Sequence, residues 1–116
     1  MDECIFCKIV KKEIPEKIVY EDDSVLAFDD IQPLAPVHVL VIPKKHIASV
    51  SDFTQNDQIL AGAMILVAKN VAKDRGIAEK GYKLLFRVGE HGGQEVPHIH
   101  LHLIGGARLS EGIKPL

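Results

Sequence analysis

The chain has 116 residues, of which 47% are hydrophobic, and a formal net charge of −2 at pH 7. This length and apolar content predict one domain with its own core, covering residues 1–116, and exclude a pair of domains. The slightly acidic balance argues against nucleic acid as a partner, because a phosphate backbone is normally bound by a clustered basic surface.

The N-terminal part of the sequence predicts short elements separated by turns. In chain order we predict a short helix or turn over residues 4–10, strands over 17–21 and 24–29, and a third strand over 37–42. The acidic pair Asp22-Asp23 is typical of a hairpin turn between the first two strands. Two prolines make residues 31–36 a loop.

The C-terminal part predicts one long helix and two more strands. Residues 54–75 show helical spacing of apolar positions, with Gly76 as the stop. The apolar positions are Leu60, Ala63, Met64, Val67 and Val71. Thr54 and Asp57 form a predicted N-terminal capping pair. Strands follow over residues 82–88 and 96–104. Ile59 and Leu66 widen the apolar stripe of the helix, and this surplus favours a dimer contact.

No stretch of the sequence predicts membrane insertion or secretion. The longest apolar run, residues 60–68, is far shorter than the ~20 residues that a membrane-spanning helix needs. The acidic start Met1-Asp2-Glu3 lacks the basic segment and long apolar stretch of a secretory signal. We therefore expect a cytoplasmic protein without a membrane partner.

The most informative segment alternates histidine with aliphatic residues from His98 to Leu103. As a strand, it would present His98, His100 and His102 on one face and aliphatic side chains on the other. Three interpretations are open: histidines with a structural role, a metal-binding strand and a catalytic strand. The catalytic interpretation is favoured because a rigid strand can hold a row of imidazoles that titrate near neutral pH.

The segment before these histidines is rich in glycine, from Gly89 to Glu95. Glycines let backbone N–H groups approach an anion closely, so the loop is predicted to bind phosphate beside the imidazoles. Gln94 and Glu95 can equally be ordinary turn residues. Pro97 fits the start or the edge of the following strand.

The two cysteines, Cys4 and Cys7, have a spacing that occurs in zinc sites and in redox motifs. Zinc, unmetallated thiols and redox chemistry are therefore all open. We prefer zinc, because a redox pair normally opens a helix after a strand and an intracellular protein keeps its thiols reduced. Two further donors would complete a tetrahedral structural site.

The motif Gly92-Gly93-Gln94, followed by Pro97 to Gly106, resembles the signature of the histidine-triad (HIT) superfamily and most closely its Hint branch, the nucleoside phosphoramidases. Matching segments are spread over most of the chain, including Ile5-Phe6, Lys12-Glu13-Ile14-Pro15, Leu26-Ala27-Phe28, Asp30-Ile31 and Val41 to Ile47. The resemblance implies an α+β fold, with an antiparallel sheet of about five strands, one main helix and a short N-terminal helix. It also implies a two-fold homodimer with one nucleotide site per subunit.

The same resemblance implies roles for the histidines in the cleavage of a purine nucleoside phosphoramidate of the AMP or GMP type. His100 is the expected nucleophile on the α-phosphorus, and His102 donates to a phosphate oxygen. His38 orients the triad, and the backbone carbonyl of His98 accepts a hydrogen bond from the next imidazole. Backbone N–H groups from Gly93 to Glu95, including Gln94, add donors.

The resemblance further implies a nucleoside slot and a metal set. The expected apolar slot consists of Phe6, Ile14, Phe28 and Ile31. Asp30 is expected to accept from the ribose hydroxyls. His46 and His98 are the expected partners of Cys4 and Cys7 in a structural zinc site. No organic cofactor is expected.

Three departures from the family pattern affect selectivity. Arg87 stands where the family commonly has Asn near the phosphate, Asp29 replaces a histidine of some members, and the tail over residues 110–116 lacks a Trp-containing ending. Arg87 would add a bidentate cation near the phosphates or point to solvent. Two other functions therefore remain open, a dinucleoside polyphosphate hydrolase and a non-catalytic purine nucleotide sensor or scaffold. A metalloenzyme that uses the triad itself is a more distant alternative.

Overall fold

The computed structural model of the protein describes residues 3–111, so part of the C-terminal tail with its predicted departure lies outside the described residues. Five strands form one antiparallel sheet in the order β1-β2-β3-β5-β4. The elements are α1 (Ile5–Val10), β1 (Ile18–Glu21), β2 (Val25–Asp29), β3 (Val37–Pro43), α2 (Gln58–Asp74), β4 (Tyr82–Phe86) and β5 (Leu101–Gly105). This architecture confirms the predicted α+β class with one main helix and a short N-terminal helix.

The two faces of the sheet carry separate hydrophobic clusters. Alternate residues of β2, β3 and β5 pack against α2 in the larger cluster, which contains Val39 and Leu103 from the sheet and Met64 from the helix. The other face packs against α1, where Phe6 and Phe28 belong to a smaller cluster. The central strands are therefore buried on both faces, and a side chain one position along β3 or β5 switches from one cluster to the other.

The main helix begins at Gln58, four residues later than predicted. Thr54 and Asp57 do form a reciprocal capping pair, but it caps a short 3₁₀ turn at Gln55–Asp57. Thr54 Oγ1 accepts from a backbone N–H at 3.2 Å, and Asp57 Oδ2 accepts from the Thr54 N–H at 2.9 Å. The helix ends at Asp74, and Gly76 follows with a positive φ of 75°, as expected of a helix stop.

The histidine strand and its neighbour are shorter than predicted. β5 begins at Leu101 rather than Val96, since the chain curls where the His98 N–H donates to the Val96 carbonyl at 2.8 Å. β4 ends at Phe86 rather than Val88, because Phe86 pairs with Leu101, the first residue of β5. Only His102 of the three triad histidines lies within a strand.

The outer face of α2 carries exposed apolar side chains. Ile59 is 89% exposed and Leu66 is 59% exposed, so neither contributes to the core of the single chain. Among the residues described, no helix combines the length and the apolar character needed to cross a bilayer.

Candidate active site and metal cluster

A cavity of about 340 Å³ opens on the α1 face of the sheet, next to the ends of β2, β3, β5 and β4. It is lined by Asp30, Gln32, Leu34, His38, Arg87, Gly93, Glu95, His100 and His102. Pairing in the sheet explains why the imidazoles meet. Leu40 pairs with His102, and His38 pairs with Ile104, so His38 and His102 lie on the same face of neighbouring strands.

His38 and His102 form a hydrogen-bond relay whose tautomers are fixed from one end. The Leu34 backbone N–H donates to His38 Nδ1 at 3.0 Å, so His38 carries its proton on Nε2. His38 Nε2 lies 3.0 Å from His102 Nδ1 and donates to it. His102 therefore carries its own proton on Nε2. That buried nitrogen has no partner within the described residues, which leaves an N–H free to meet a ligand.

His100 is held in the opposite tautomer. Its Nδ1–H donates to the backbone carbonyl of His98 at 2.8 Å, so its Nε2 is unprotonated. The rings of His100 and His102 lie 5.0 Å apart, and each is only 8% exposed. The site thus presents an unprotonated nitrogen and an N–H donor side by side.

Burial keeps these imidazoles neutral. Desolvation lowers the pKa of His38 and of His100 below the usual histidine value. Desolvation, with the neighbouring His100, His38 and Arg87, lowers the pKa of His102 to about 4. A neutral imidazole is the form that can attack as a nucleophile, so the site is ready for nucleophilic chemistry at pH 7.

Asp30 and Arg87 lie on opposite sides of the imidazoles. Asp30 Oδ2 is 3.4 Å from His38 Nε2, and its Oδ1 accepts from the Gln32 N–H at 2.9 Å. Arg87 follows the last residue of β4 and is exposed. No carboxylate lies within 4.0 Å of its guanidinium among residues 3–111. One wall of the cavity therefore offers a carboxylate, and the other offers a cation without an ion pair.

The three triad rings lie on the α1 side of the sheet, as predicted, although only His102 lies within a strand. The rings of His98 and His100 both lie edge-on to Phe6, with centroids 5.8 and 5.1 Å away. Ile99, Leu101 and Leu103 belong to the cluster on the α2 face. His98 Nε2–H donates to the Pro43 carbonyl at 2.8 Å, which leaves Nδ1 unprotonated. Its backbone carbonyl holds His100, as expected, while its ring faces the cysteines.

Cys4, Cys7, His46 and His98 form a cluster that could hold a metal ion. His98 Nδ1 lies 3.3 Å from Cys4 Sγ, 3.6 Å from Cys7 Sγ and 3.2 Å from His46 Nδ1. Cys7 Sγ lies 3.3 Å from His46 Nδ1. Burial and the neighbouring Cys4 raise the pKa of the Cys7 thiol, so a cation would have to favour the thiolate.

The four predicted slot residues lie in different surroundings. Phe6 and Phe28 are buried and meet edge to face with ring centroids 5.6 Å apart, and Ile14 packs against their cluster. Phe6 also lies edge-on to His100 at 5.1 Å. Ile31 is 80% exposed and lies outside this cluster. None of the four lines the cavity itself.

The glycine-rich loop uses most of its predicted donors internally. The Gly93 N–H donates to the Glu90 carbonyl and the Gln94 N–H to the Gly89 carbonyl, both at 3.1 Å. Among the described residues, the Glu95 N–H has no acceptor. The Gln94 amide donates to two backbone carbonyls, at 2.7 and 2.9 Å, so its side chain shapes the loop.

Sequence reasoning missed two structural requirements of the site. A Cβ at Gly92 would lie 2.3 Å from the Val88 carbonyl oxygen, so only glycine fits there. The donor that fixes the relay is the backbone N–H of Leu34, a residue whose apolar side chain gave no signal in the sequence. The Gly92-Gly93 pair in the sequence could have indicated the requirement for glycine, whereas no sequence pattern could have indicated the donor role of Leu34.

Comparisons with known proteins extend over nearly the whole chain. The family model described as "Scavenger mRNA decapping enzyme C-term binding" matches residues 3–114. The chain is 51% identical over 108 residues to the "Purine nucleoside phosphoramidase" of Escherichia coli (strain K12), covering 93% of this chain and 91% of that protein.

Solved structures show the same architecture. A HIT family hydrolase from Legionella pneumophila Philadelphia 1 is 49% identical with a TM-score of 0.93, covering 95% of this chain and 98% of that chain. A histidine triad protein from Clostridium difficile is 44% identical with a TM-score of 0.91, covering 95% of each chain.

Proposed function

The chain belongs to the histidine-triad family, as its sequence predicts, and we propose that it hydrolyses purine nucleoside 5′-phosphoramidates to a nucleoside monophosphate and an amine. The observation that carries this proposal is the pair of opposed tautomers. His100 offers an unprotonated Nε2, and His102 offers an N–H without a partner. The likeness to a purine nucleoside phosphoramidase supports the substrate class.

In the first step, His100 Nε2 attacks the α-phosphorus and forms an N–P bond while the P–N bond to the amine breaks. The electron pair of that bond leaves with the amine nitrogen, which takes a proton from solvent at the mouth of the cavity. The His98 carbonyl, which accepts from Nδ1–H, stabilises the charge that the attacking ring acquires. His102 Nε2–H donates to a phosphate oxygen, where negative charge develops.

In the second step, water attacks the phosphorus of the nucleotidyl-histidine. The N–P bond breaks, its electron pair returns to His100 Nε2, and the water releases a proton to solvent. This proton replaces the one that the amine took, so the enzyme regains its starting form. The relay through His38 keeps His102 in the donor tautomer during both steps.

Recognition of the substrate uses the two walls of the site. Asp30 accepts from the ribose hydroxyls, and the base lies in an apolar slot built from Phe6, Ile14, Phe28 and Ile31. The position of Asp30 in the cavity wall and the contact of Phe6 with His100 support this assignment. An apolar slot accepts either purine, so AMP and GMP derivatives are both substrates.

The phosphate binds among His102, Arg87 and the loop from Gly93 to Glu95. Gly93 and Glu95 line the cavity, and the Glu95 N–H is the backbone donor that the loop does not use itself. Gln94 contributes by holding the loop in place.

We assign the cluster of Cys4, Cys7, His46 and His98 to a structural zinc ion. The donor separations of 3.2–3.6 Å fit two ligands that each lie about 2.0–2.3 Å from one tetrahedral ion. Two thiolates and two imidazoles with available Nδ1 atoms fill a tetrahedron, so no position remains for substrate. Zinc would hold the N-terminal helix against the segment that carries His100. The imidazoles of His100 and His102 would carry out the hydrolysis.

We further propose that the chain works as a homodimer in the cytoplasm, without nucleic acid or membrane partners. The exposed apolar side chains Ile59 and Leu66 on α2 support a contact between two copies. A reducing compartment suits two free cysteines in a metal site.

The test of this function is a steady-state comparison of adenosine and guanosine 5′-phosphoramidates with a diadenosine polyphosphate. We expect the larger kcat/KM for the phosphoramidates, with activity that survives chelation while the protein stays folded. Faster turnover of the diadenosine compound would instead assign a dinucleoside polyphosphate hydrolase. Tight nucleotide binding without any turnover would assign a nucleotide sensor.

A further inference from the structure

Arg87 is the one cation in the wall of the active-site cavity as the structure describes it, and its guanidinium has no carboxylate within 4.0 Å among residues 3–111. Arg75, by contrast, is paired with Asp29 at 2.9 Å. A guanidinium has five N–H donors in a planar fork that matches carboxylate and phosphate oxygens. Arg87 is therefore free to bind an anion supplied by a ligand.

Sheet pairing brings Arg87 beside the nucleophile. Leu85 pairs with His102, and Arg87 lies two positions further along the chain, just beyond the end of β4. Arg87 and His100 line the same cavity. The Arg87 side chain also passes over Gly93, where an added Cβ would lie 3.7 Å from Nη1.

The order of the strands separates the two ends of a substrate. Asp30 follows β2, His38 lies in β3, His102 lies in β5, and Arg87 follows β4, while the sheet order is β2-β3-β5-β4. If Asp30 holds the ribose and His100 receives the phosphorus, the group that leaves the phosphorus extends toward β4. Arg87 then faces the leaving group rather than the nucleoside.

We propose that Arg87 forms a subsite for a leaving group that carries a second anionic group, either a carboxylate on the departing amine or a further phosphate. This inference rests on the proposed function. With a carboxylate-bearing amine, the P–N bond breaks as above and the amine nitrogen takes a solvent proton, while the carboxylate stays paired with Arg87 until release. With a polyphosphate, a P–O bond breaks and the departing phosphate keeps the electron pair as its own oxyanion.

The opposing charge in this wall is Glu95, which lines the same cavity. Its carboxylate lies more than 4.0 Å from any described cationic side chain, so it does not neutralise Arg87 through an ion pair. Glu95 would repel an anionic leaving group that Arg87 attracts. The two side chains therefore offer matched substitutions with opposite expected effects on the same substrate pair.

The experiment compares adenosine 5′-phosphoramidates of glycine and of glycinamide, which differ in the charge of the leaving amine and little in size. We expect a kcat/KM ratio of about tenfold in favour of glycine, the ratio that 1.4 kcal/mol of differential binding produces. Arg87→Gln should bring the ratio close to one, Arg87→Lys should retain part of it, and Glu95→Gln should raise it. High salt should lower the wild-type ratio, since the subsite is open to solvent.

A parallel arm uses diadenosine triphosphate to distinguish the two anion sources. Turnover of diadenosine triphosphate is expressed relative to that of the glycinamide compound. If Arg87→Gln lowers only the glycine ratio, the anion is a carboxylate; if it lowers only the relative diadenosine triphosphate turnover, the anion is a phosphate. A wild-type glycine preference of one or less, together with unchanged relative diadenosine triphosphate turnover in Arg87→Gln, would overturn the subsite.

Separate measurements test the proposed function and the subsite. Turnover of the glycinamide compound by the wild type tests the phosphoramidase proposal alone. Calorimetry with His100→Ala measures the glycine to glycinamide affinity ratio without turnover. An affinity ratio that Arg87→Gln leaves unchanged in that background would also overturn the subsite.

Discussion

The relay that ends at His102 predicts different outcomes for two polar substitutions of His38. Gln at this position can still donate to His102 Nδ1 through an amide N–H, while Asn can accept from the Leu34 N–H but does not reach His102. Without a donor at position 38, the buried His102 Nδ1 has no hydrogen-bond partner, and His102 is no longer held in the tautomer that carries its proton on Nε2. That cost is about 1–3 kcal/mol, which lowers kcat roughly 5- to 150-fold if it is felt in the transition state.

We therefore expect His38→Asn to lose kcat by that factor and His38→Gln to retain most of it. The assay is release of AMP from adenosine 5′-phosphoramidate, with ¹⁵N NMR of the imidazoles to follow the His102 tautomer. His38→Leu, which removes both bonds, is the control for complete loss of the relay. Equal kcat in the Asn and Gln variants, or wild-type kcat in the Leu variant, would refute the reasoning.

Three further predictions test the other parts of the site. A 2′-deoxy substrate should lose kcat/KM in the wild type by the factor that about 1–3 kcal/mol represents, and much less in Asp30→Ala; equal losses would remove Asp30 from ribose binding. Metal analysis should find about one zinc per chain, and joint Cys4→Ser and Cys7→Ser changes should lower the Tm while the folded variant stays active; metal-free protein under reducing conditions would contradict the assignment. The pKa of His102 is about 4, against an ordinary 6.5, so the unfolded chain binds more protons than the folded chain between these pH values. Urea unfolding should therefore show that acidification from pH 6.5 to 4 removes about 3 kcal/mol of stability through His102, and that His102→Gln loses less.

Periodicity in the sequence predicted the elements well where local chemistry decides them. The helix stop at Gly76 and the Thr54–Asp57 pair are both present, because caps and stops depend on neighbouring residues. The pair nevertheless caps a 3₁₀ turn, and the helix starts only at Gln58, since boundaries also depend on packing.

Alternation predicted the two faces of the histidine segment but overestimated the length of its strand. The triad histidines lie opposite Ile99, Leu101 and Leu103, and the His98 ring also reaches Cys4. Strand pairing with β3 and β4 begins only at Leu101, and no local pattern encodes where a distant partner ends.

The polar partners of the site depend on long-range geometry in the same way. The resemblance to the family predicted His38, His100 and His102 as site residues, and the structure brings these three side chains to one cavity. The Leu34 backbone N–H, which fixes the tautomers of His38 and His102, is invisible to pattern reasoning, because any residue type except proline supplies such a donor. Gln94 shows the reverse case: its backbone N–H was expected to meet phosphate but donates to the Gly89 carbonyl, and its side chain holds its own loop.

The measurement that tests the central claim most directly is mass spectrometry of the protein quenched during turnover of adenosine 5′-phosphoramidate. Covalent catalysis predicts a nucleotidyl group on His100 in the wild type, no adduct in His100→Ala, and kcat abolished in that variant while nucleotide affinity stays within about tenfold. An adduct on another residue, or substantial kcat in His100→Ala, would contradict the assignment of His100 as the nucleophile.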